Sequence, residues 1–466
     1  MGALSKRDTT AGTVVFFSRQ GGRIMNGALQ PWLAMGKEWL RVAVHPATFV
    51  FVALLAAFYA RQVALERRLF FVRLRSVWRE TLHSVLMGAG GGLAASALLV
   101  GLGVVVHPHT LAVLWGVALV LAIARFRYLC LAYAGGIVGT AASLAQLAPS
   151  AFAIPPLAPL GRFLLQVDVP SLAALVAILH LVESVLVFLH GGNRATPLFL
   201  RSPRGKLVGG YALQRLWLLP LIVVVPAAGG GGGGPEWWPV FGSGATSWTV
   251  AGLPALIGYS DVALTRTAQE KARHAAGWLL AYSLILLALA GWARVWLPAA
   301  LLASTFAAVG HEALIRFGRW QERGRPALFQ HDAEGLCVLA VLPGSPAEAM
   351  GIVPGDRLRR VNGVEVRTRL DLHAALSRNR AHCRLEVLDQ NGEVRLVQRT
   401  VYATDHHQLG IVLAPDEDAP YYVEVEDTGL FGLRGRTGMQ ASRRSPVGSR
   451  AEVADGAREP SETASS

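Results

Sequence analysis

Charge and cysteine are both scarce in this chain. Of its 466 residues only 16% are Asp, Glu, Lys or Arg, and 52% are hydrophobic; a soluble protein carries about 25% charged residues. That balance excludes an ordinary soluble enzyme and points to an integral membrane protein. The three cysteines, Cys130, Cys337 and Cys383, have no CxxC spacing, which indicates neither a disulfide framework nor a zinc site. Acidic residues are fewer than basic ones, 31 against 44, for a net charge of +13. The arginines cluster between apolar segments, which is the positive-inside pattern, so topology accounts for the basicity and no nucleic-acid partner is expected. The first apolar run begins only near Val42, so no cleavable signal peptide is expected either.

Residues 1–29 are polar and Gly-containing and are expected to be disordered. Trp32 to Val44 reads as an interfacial amphipathic helix, with Trp32 and Trp39 suited to the headgroup level. Nine apolar spans follow, at about 46–60, 83–106, 109–124, 128–147, 170–190, 210–228, 241–260, 275–293 and 295–315. Most approach the ~20 residues that a helix needs to cross a bilayer. This predicts a multi-span domain of eight or nine helices over 30–320. The sixth span carries two prolines and the seventh is Gly/Ser-rich; if these two form a re-entrant hairpin, the side of everything downstream is unchanged. Every second loop is basic: Arg61 to Arg79, Arg125/Arg127, Arg194 to Arg215, Arg266 to Arg273, and Arg316 to Arg325. The intervening loops hold little charge, so the basic loops and whatever follows Arg325 are expected in the cytoplasm. The segment Arg61 to Glu80 reads as a solvated positive-inside loop, with anionic lipid or a partner protein as the alternative contact. A glycine run at 229–234 leads to a tryptophan pair, an interfacial anchor. The chain beyond Asp427 is expected to be a disordered tail (427–466).

Catalytic apparatus is also lacking. His311-Glu312-Ala313-Leu314-Ile315 has Ile where an HExxH zinc protease needs its second His. His180 and Glu183 share a helical face at i,i+3. His190 lies seven residues beyond Glu183, and with His311 and Glu312 these residues offer a buried polar or metal cluster, weighed against an interhelical hydrogen-bond pair with interfacial terminal residues. Gly242-Ser243-Gly244 lacks the spacing of an intramembrane serine protease. The reading is therefore a non-enzyme: no catalytic residue, no cofactor and no metal.

What the chain does carry is an ordered series of turn residues. An apolar run, Leu336 to Leu342, meets Pro343-Gly344-Ser345-Pro346; a helical turn, Ala347 to Met350, is stopped by Gly351; Pro354-Gly355-Asp356 turns into a second strand, and Asn362-Gly363 signals a hairpin. This series resembles the bacterial PDZ domain over 328–415, a small α+β fold (a partly open barrel or sandwich with two helices) after the α-helical polytopic region. The resemblance implies a groove where an extended peptide or protein C-terminus adds as a strand, its carboxylate held by backbone amides of a Gly-containing turn. The best match to that turn is Gln408-Leu409-Gly410-Ile411-Val412, placed after the other strands, whereas PDZ domains of the secreted-protease type have it before them. The opposing helix is Arg369 to Ser377, presenting Leu372, Ala375 and Leu376. The alternative is that Leu409 and Ile411 merely complete the sheet.

The whole layout resembles the MinJ-like family of Gram-positive bacteria, polytopic proteins ending in a cytoplasmic PDZ domain. Beside the layout, the resemblance rests on Tyr133-Ala134-Gly135-Gly136, Gly258-Tyr259-Ser260-Asp261 with Lys271-Ala272-Arg273, Gly310-His311-Glu312, and His406-His407-Gln408-Leu409-Gly410. It implies a role in placing the division septum, with DivIVA-type and MinD-type proteins as partners beside membrane lipid, at the cell membrane and enriched at septum and poles. Two other readings stand beside this scaffold: a PDZ-regulated intramembrane protease, and a tethering component of a secretion or assembly machine.

Overall fold

The computed structural model describes residues 30–70, 75–202, 205–227, 238–242, 247–379, 382–400 and 409–416. The expectations for 1–29, the glycine run at 229–234, Gln408 with the histidines before it, and 427–466 fall outside these residues. Helix α1 (Gln30–Ala43) precedes α2 (Pro46–Phe70), α3 (Val77–Gly101), α4 (Pro108–Ala124), α5 (Leu131–Leu147), the short α6 (Ala158–Leu165) and α7 (Val169–Leu186). Strands β1 (Thr196–Arg201), β2 (Leu207–Pro226) and β3 (Trp248–Ala263) come next, then α8 (Ala268–Trp292) and α9 (Leu297–Arg323). Among the described residues, α2, α3, α7 with the π-turn that extends it, α8 and α9 are long and apolar enough to cross a membrane; α4 and α5 are shorter apolar helices. The chain is therefore a helical multi-pass membrane protein in its N-terminal part.

The sixth and seventh expected spans are not helices. They form one antiparallel hairpin, β2 against β3, in register from Tyr211↔Ala263 to Pro226↔Trp248, with β1 on the other side of the start of β2. The β-branched run Ile222–Val225 favours extended backbone. Pro220 stands directly opposite Pro254, and the neighbouring N–H of Ile222 points out of the hairpin, toward α3; by strand alternation so does the Pro220 nitrogen, and the ladder loses no bond.

A strand edge in a membrane domain must find partners for its backbone, because hydrocarbon supplies none. The side of β2 facing α2 and α3 meets this requirement with side chains. Gln62 Nε2 donates to Gln214 O at 3.3 Å, the Tyr59 hydroxyl donates to Leu216 O at 3.3 Å, and Ser96 Oγ accepts from Ile222 N at 2.9 Å. Val106 N then donates to Val224 O at 2.9 Å. Glycines in α3 make this approach possible: a Cβ on Gly88 would lie 2.2 Å from Leu218 O, and one on Gly92 2.7 Å from Pro220 O.

The expected solvated loop 61–80 is largely helical, and some of its charges are buried. Arg75 pairs with Glu66, while Glu80 accepts from Arg215 at 2.7 Å and Arg194 at 3.0 Å. Lys271, 2% exposed, lies 3.3 Å from both Asp261 and Glu322. Removing charge from water is costly unless it is paired, and each acid here has its base.

After α9 the chain becomes strand-rich: β4 (Leu336–Val341), the one-turn α10 (Pro346–Ala349), β5 (Arg357–Val361), β6 (Val364–Glu365), α11 (Arg369–Arg378), β7 (His382–Leu388), β8 (Val394–Thr400) and β9 (Ile411–Leu413). The sheet order is β8-β7-β5-β4-β9, with β6 paired to β5. Ser345 caps α10 by accepting from Glu348 N at 3.3 Å, and Asn362-Gly363 turns the β5–β6 hairpin with both residues at positive φ. This unit is docked on the membrane region: Leu328 N donates to Leu264 O at 2.9 Å and Gly209 N to Phe329 O at 2.8 Å. Cys337, Leu339 and Ala414 share one apolar cluster with the helical bundle.

Candidate functional site

Strand β9 lies at the edge of its sheet, beside β4. Gly410 O accepts from Leu342 N at 2.8 Å and Ala414 N donates to Cys337 O at 2.9 Å. Those two groups point at β4, so strand alternation turns the N–H and C=O of Ile411 and Leu413 toward the open edge. Helix α11 starts beside the end of this strand: Arg369, at the helix start, donates to Ala414 O at 3.1 Å and pairs with Asp416 at 3.0 Å. Thr368 caps the helix, accepting from Asp371 N at 3.1 Å while Asp371 accepts in return from Thr368 N at 2.9 Å.

The side chains expected to line a groove divide by role. Leu409, Leu372 and Ala375 are buried in the core of the strand-rich unit; Leu376 and Ile411 pack against that core but are only partly buried. Val412 points to the opposite face and packs on the cluster continuous with the membrane bundle. Ile411 and Leu376 are thus the partly exposed apolar side chains of this set on the core face. Gly410 has φ +74°, and a Cβ there would sit 2.2 Å from Ser345 Cβ. Only glycine fits that turn.

The intramembrane residues singled out in the sequence also come together, apart from Glu312 and from His190, whose ring packs on His83 instead. His180 Nε2 lies 4.0 Å from Glu183 Oε2, and the His180 and His311 rings meet edge to face at 5.2 Å. Glu312 turns away to accept from the Tyr133 hydroxyl at 2.7 Å, Arg316 at 2.9 Å and Arg127 at 3.1 Å. Sequence reasoning missed Cys130. Its Sγ is 3.2 Å from His180 Nε2 and 3.7 Å from His311 Nε2; the only available signal was its place just before α5, and no ligand spacing connects it to the two histidines.

A helical multi-pass region joined to a strand-rich unit with an open edge and a flanking helix defines a membrane-anchored protein-interaction module. Residues 338–389 match the PDZ domain family. Over 383 residues the chain is 28% identical to the cell division topological determinant MinJ of Bacillus subtilis (strain 168), covering 80% of this chain and 93% of that protein. It is also 28% identical over 250 residues to the probable cell division topological determinant MinJ of Lacticaseibacillus paracasei, covering 53% of this chain and 67% of the relative. The chain is homologous to the MinJ topological determinants, and the resemblance read from its motifs holds across four-fifths of its length.

Proposed function

We propose that the chain is a non-enzymatic membrane scaffold. In this reading residues 30–320 are the anchor and 328–415 a cytoplasmic peptide-binding module that gathers DivIVA-type and MinD-type division proteins at poles and septum. The observation that carries the binding role is the open β9 edge beside α11, with Ile411 and Leu376 partly exposed between them. An extended peptide added there gains main-chain bonds from the edge and side-chain selectivity from the pocket.

The cytoplasmic side is supported by where the basic loops converge. Arg75 donates to Arg194 O at 2.7 Å, Arg194 reaches Glu80, and Lys271 joins Glu322 of α9. These groups gather at the end of the bundle where Leu264 and Gly209 hold the strand-rich unit. Clustered Lys and Arg mark the cytoplasmic face. Against the protease reading stands the chemistry of the cluster: no glutamate is placed one residue beyond a ligating His with a second His at i+4.

The test is affinity purification of the detergent-extracted full-length chain beside Leu376→Glu, read by mass spectrometry, with a fluorescent fusion followed in cells. A glutamate at Leu376 puts a charge in the apolar pocket without touching the turn at Gly410. Capture of DivIVA-like or MinD-like proteins by the parent chain and their loss with the variant is the expected result. Equal capture by both removes the groove, and uniform membrane fluorescence removes the division role.

A further inference from the structure

We propose that Cys130, His180 and His311 form a zinc site inside the helical bundle, with the Glu183 carboxylate beside it. The three side chains are Cys130 at the start of α5, His180 in α7 and His311 in α9, and their ligand atoms all lie within 4.8 Å of one another. Tetrahedral zinc with its usual Zn–S and Zn–N bonds sets sulfur and nitrogen about 3.6 Å apart. The Sγ–Nε2 separations here are 3.2 and 3.7 Å. The sulfur thus stands at metal-ligand spacing from both imidazoles, the three residues lying 50 and then 131 residues of chain apart, and the two nitrogens lie within 4.8 Å of each other.

The surroundings fit a ligand role. His180 is 2% exposed, and its Nδ1 lies 2.8 Å from Val176 O. A proton on Nδ1 donated to that carbonyl leaves Nε2 as a lone pair directed at the sulfur, the arrangement that orients histidine ligands in metal proteins. Glu183, 8% exposed, places Oε2 4.0 Å from the same Nε2 and supplies a carboxylate beside the three ligands. Charge also balances. On binding, the Cys130 thiol gives up its proton to solvent; the dication, one thiolate and one carboxylate then sum to zero, which is what a low-dielectric interior tolerates. The softness of one thiolate with two imidazoles favours zinc over magnesium or calcium. Such an ion ties α5, α7 and α9 together, and α9 is the helix that leads into the strand-rich unit.

The test measures zinc by mass spectrometry in the full-length chain, purified in detergent without chelator and then re-measured after equilibration with micromolar zinc. About one zinc per chain is expected, lost in Cys130→Ala and His180→Gln and kept in Glu312→Gln, whose carboxylate is committed to Tyr133, Arg127 and Arg316. It is also kept in His190→Ala, which breaks the separate His83–His190 pair. Glu183→Gln should weaken zinc about 10–100-fold; unchanged affinity removes the carboxylate from the site. Because a ligand variant can fail to fold, cobalt is loaded into the parent chain in parallel, where a thiolate-to-cobalt charge-transfer band is expected. No zinc uptake, no such band, or zinc retained equally by folded Cys130→Ala overturns the proposal.

Discussion

Gly410→Ala is the sharpest probe of the turn that precedes β9. Two costs arise from the structure. The residue has φ +74°, and a side chain in the left-handed region costs about 1–2 kcal/mol. The added Cβ would stand 2.2 Å from Ser345 Cβ and 2.8 Å from Ser345 Oγ. Ser345 is not free to retreat, because its hydroxyl caps α10; forcing a methyl into such a place costs about 1–3 kcal/mol. The sum, about 2–5 kcal/mol, is a large part of a typical domain stability of roughly 5–15 kcal/mol. The assay is hydrogen exchange by mass spectrometry on the detergent-solubilised full chain. The reporters are the amides of Leu342 and Ala347, bonded to Gly410 O and Leu409 O at 2.8 and 3.0 Å. At a factor of ten per 1.4 kcal/mol, their exchange should rise roughly thirty-fold to several thousand-fold, while amides of α7 stay protected. Unchanged protection at Leu342 and Ala347 would refute both the left-handed turn and its contact with Ser345. The same geometry means that Gly410→Asp, otherwise a direct test of carboxylate binding, perturbs folding first.

Two further outcomes follow from charges. Lys271→Met leaves the half-buried Asp261 and Glu322 without the cation between them, so a loss of about 3 kcal/mol, the low end for breaking a buried pair, is expected; an unshifted melting temperature in detergent would sink that assignment. His331 Nδ1 accepts from Cys337 N at 3.1 Å, and burial holds its pKa below the ordinary 6.5 against the pull of Asp416. The unfolded chain therefore binds the proton first, and this contribution to stability is fully present above pH 6.5 and declines as pH falls through and below that value. His331→Asn should flatten the decline in a pH series of Cys337 amide exchange, and an identical pH profile in the variant would exclude His331 as its source.

How much was legible depended on how local the cause was. The turn series from Pro343 to Gly363 is written in residues that act on their own backbone, so the PDZ match over 338–389 was readable in order. The same holds for α2, α3, α7, α8 and α9, whose length and apolarity alone qualify them to span. The β2–β3 segments read in the sequence as two weak spans or a re-entrant pair, because an apolar run does not declare its periodicity when both faces are buried. Its partners, Gln62, Tyr59 and Ser96, stand 126 to 157 residues away. Val412 was counted with the groove, although strand alternation alone would have turned it away from Ile411; what occupies its other face is the docked bundle.

The sequence by itself determined a multi-pass anchor followed by a PDZ unit, because hydropathy and turn chemistry act over a few residues. It also carried Asp261 and Lys271 in one resemblance motif, though neither their pairing nor the Glu322 that completes it is legible there. Only the tertiary structure decided that an extended hairpin lies among the helices, that the strand-rich unit sits on its base, and that Cys130 meets His180 and His311. Each of these depends on groups far apart in the chain, whose proximity is set by which helix faces can pack closely: Gly88 and Gly92 let α3 lie on β2, and Gly136 lets α5 lie on α9, a Cβ there falling 2.6 Å from Ala308.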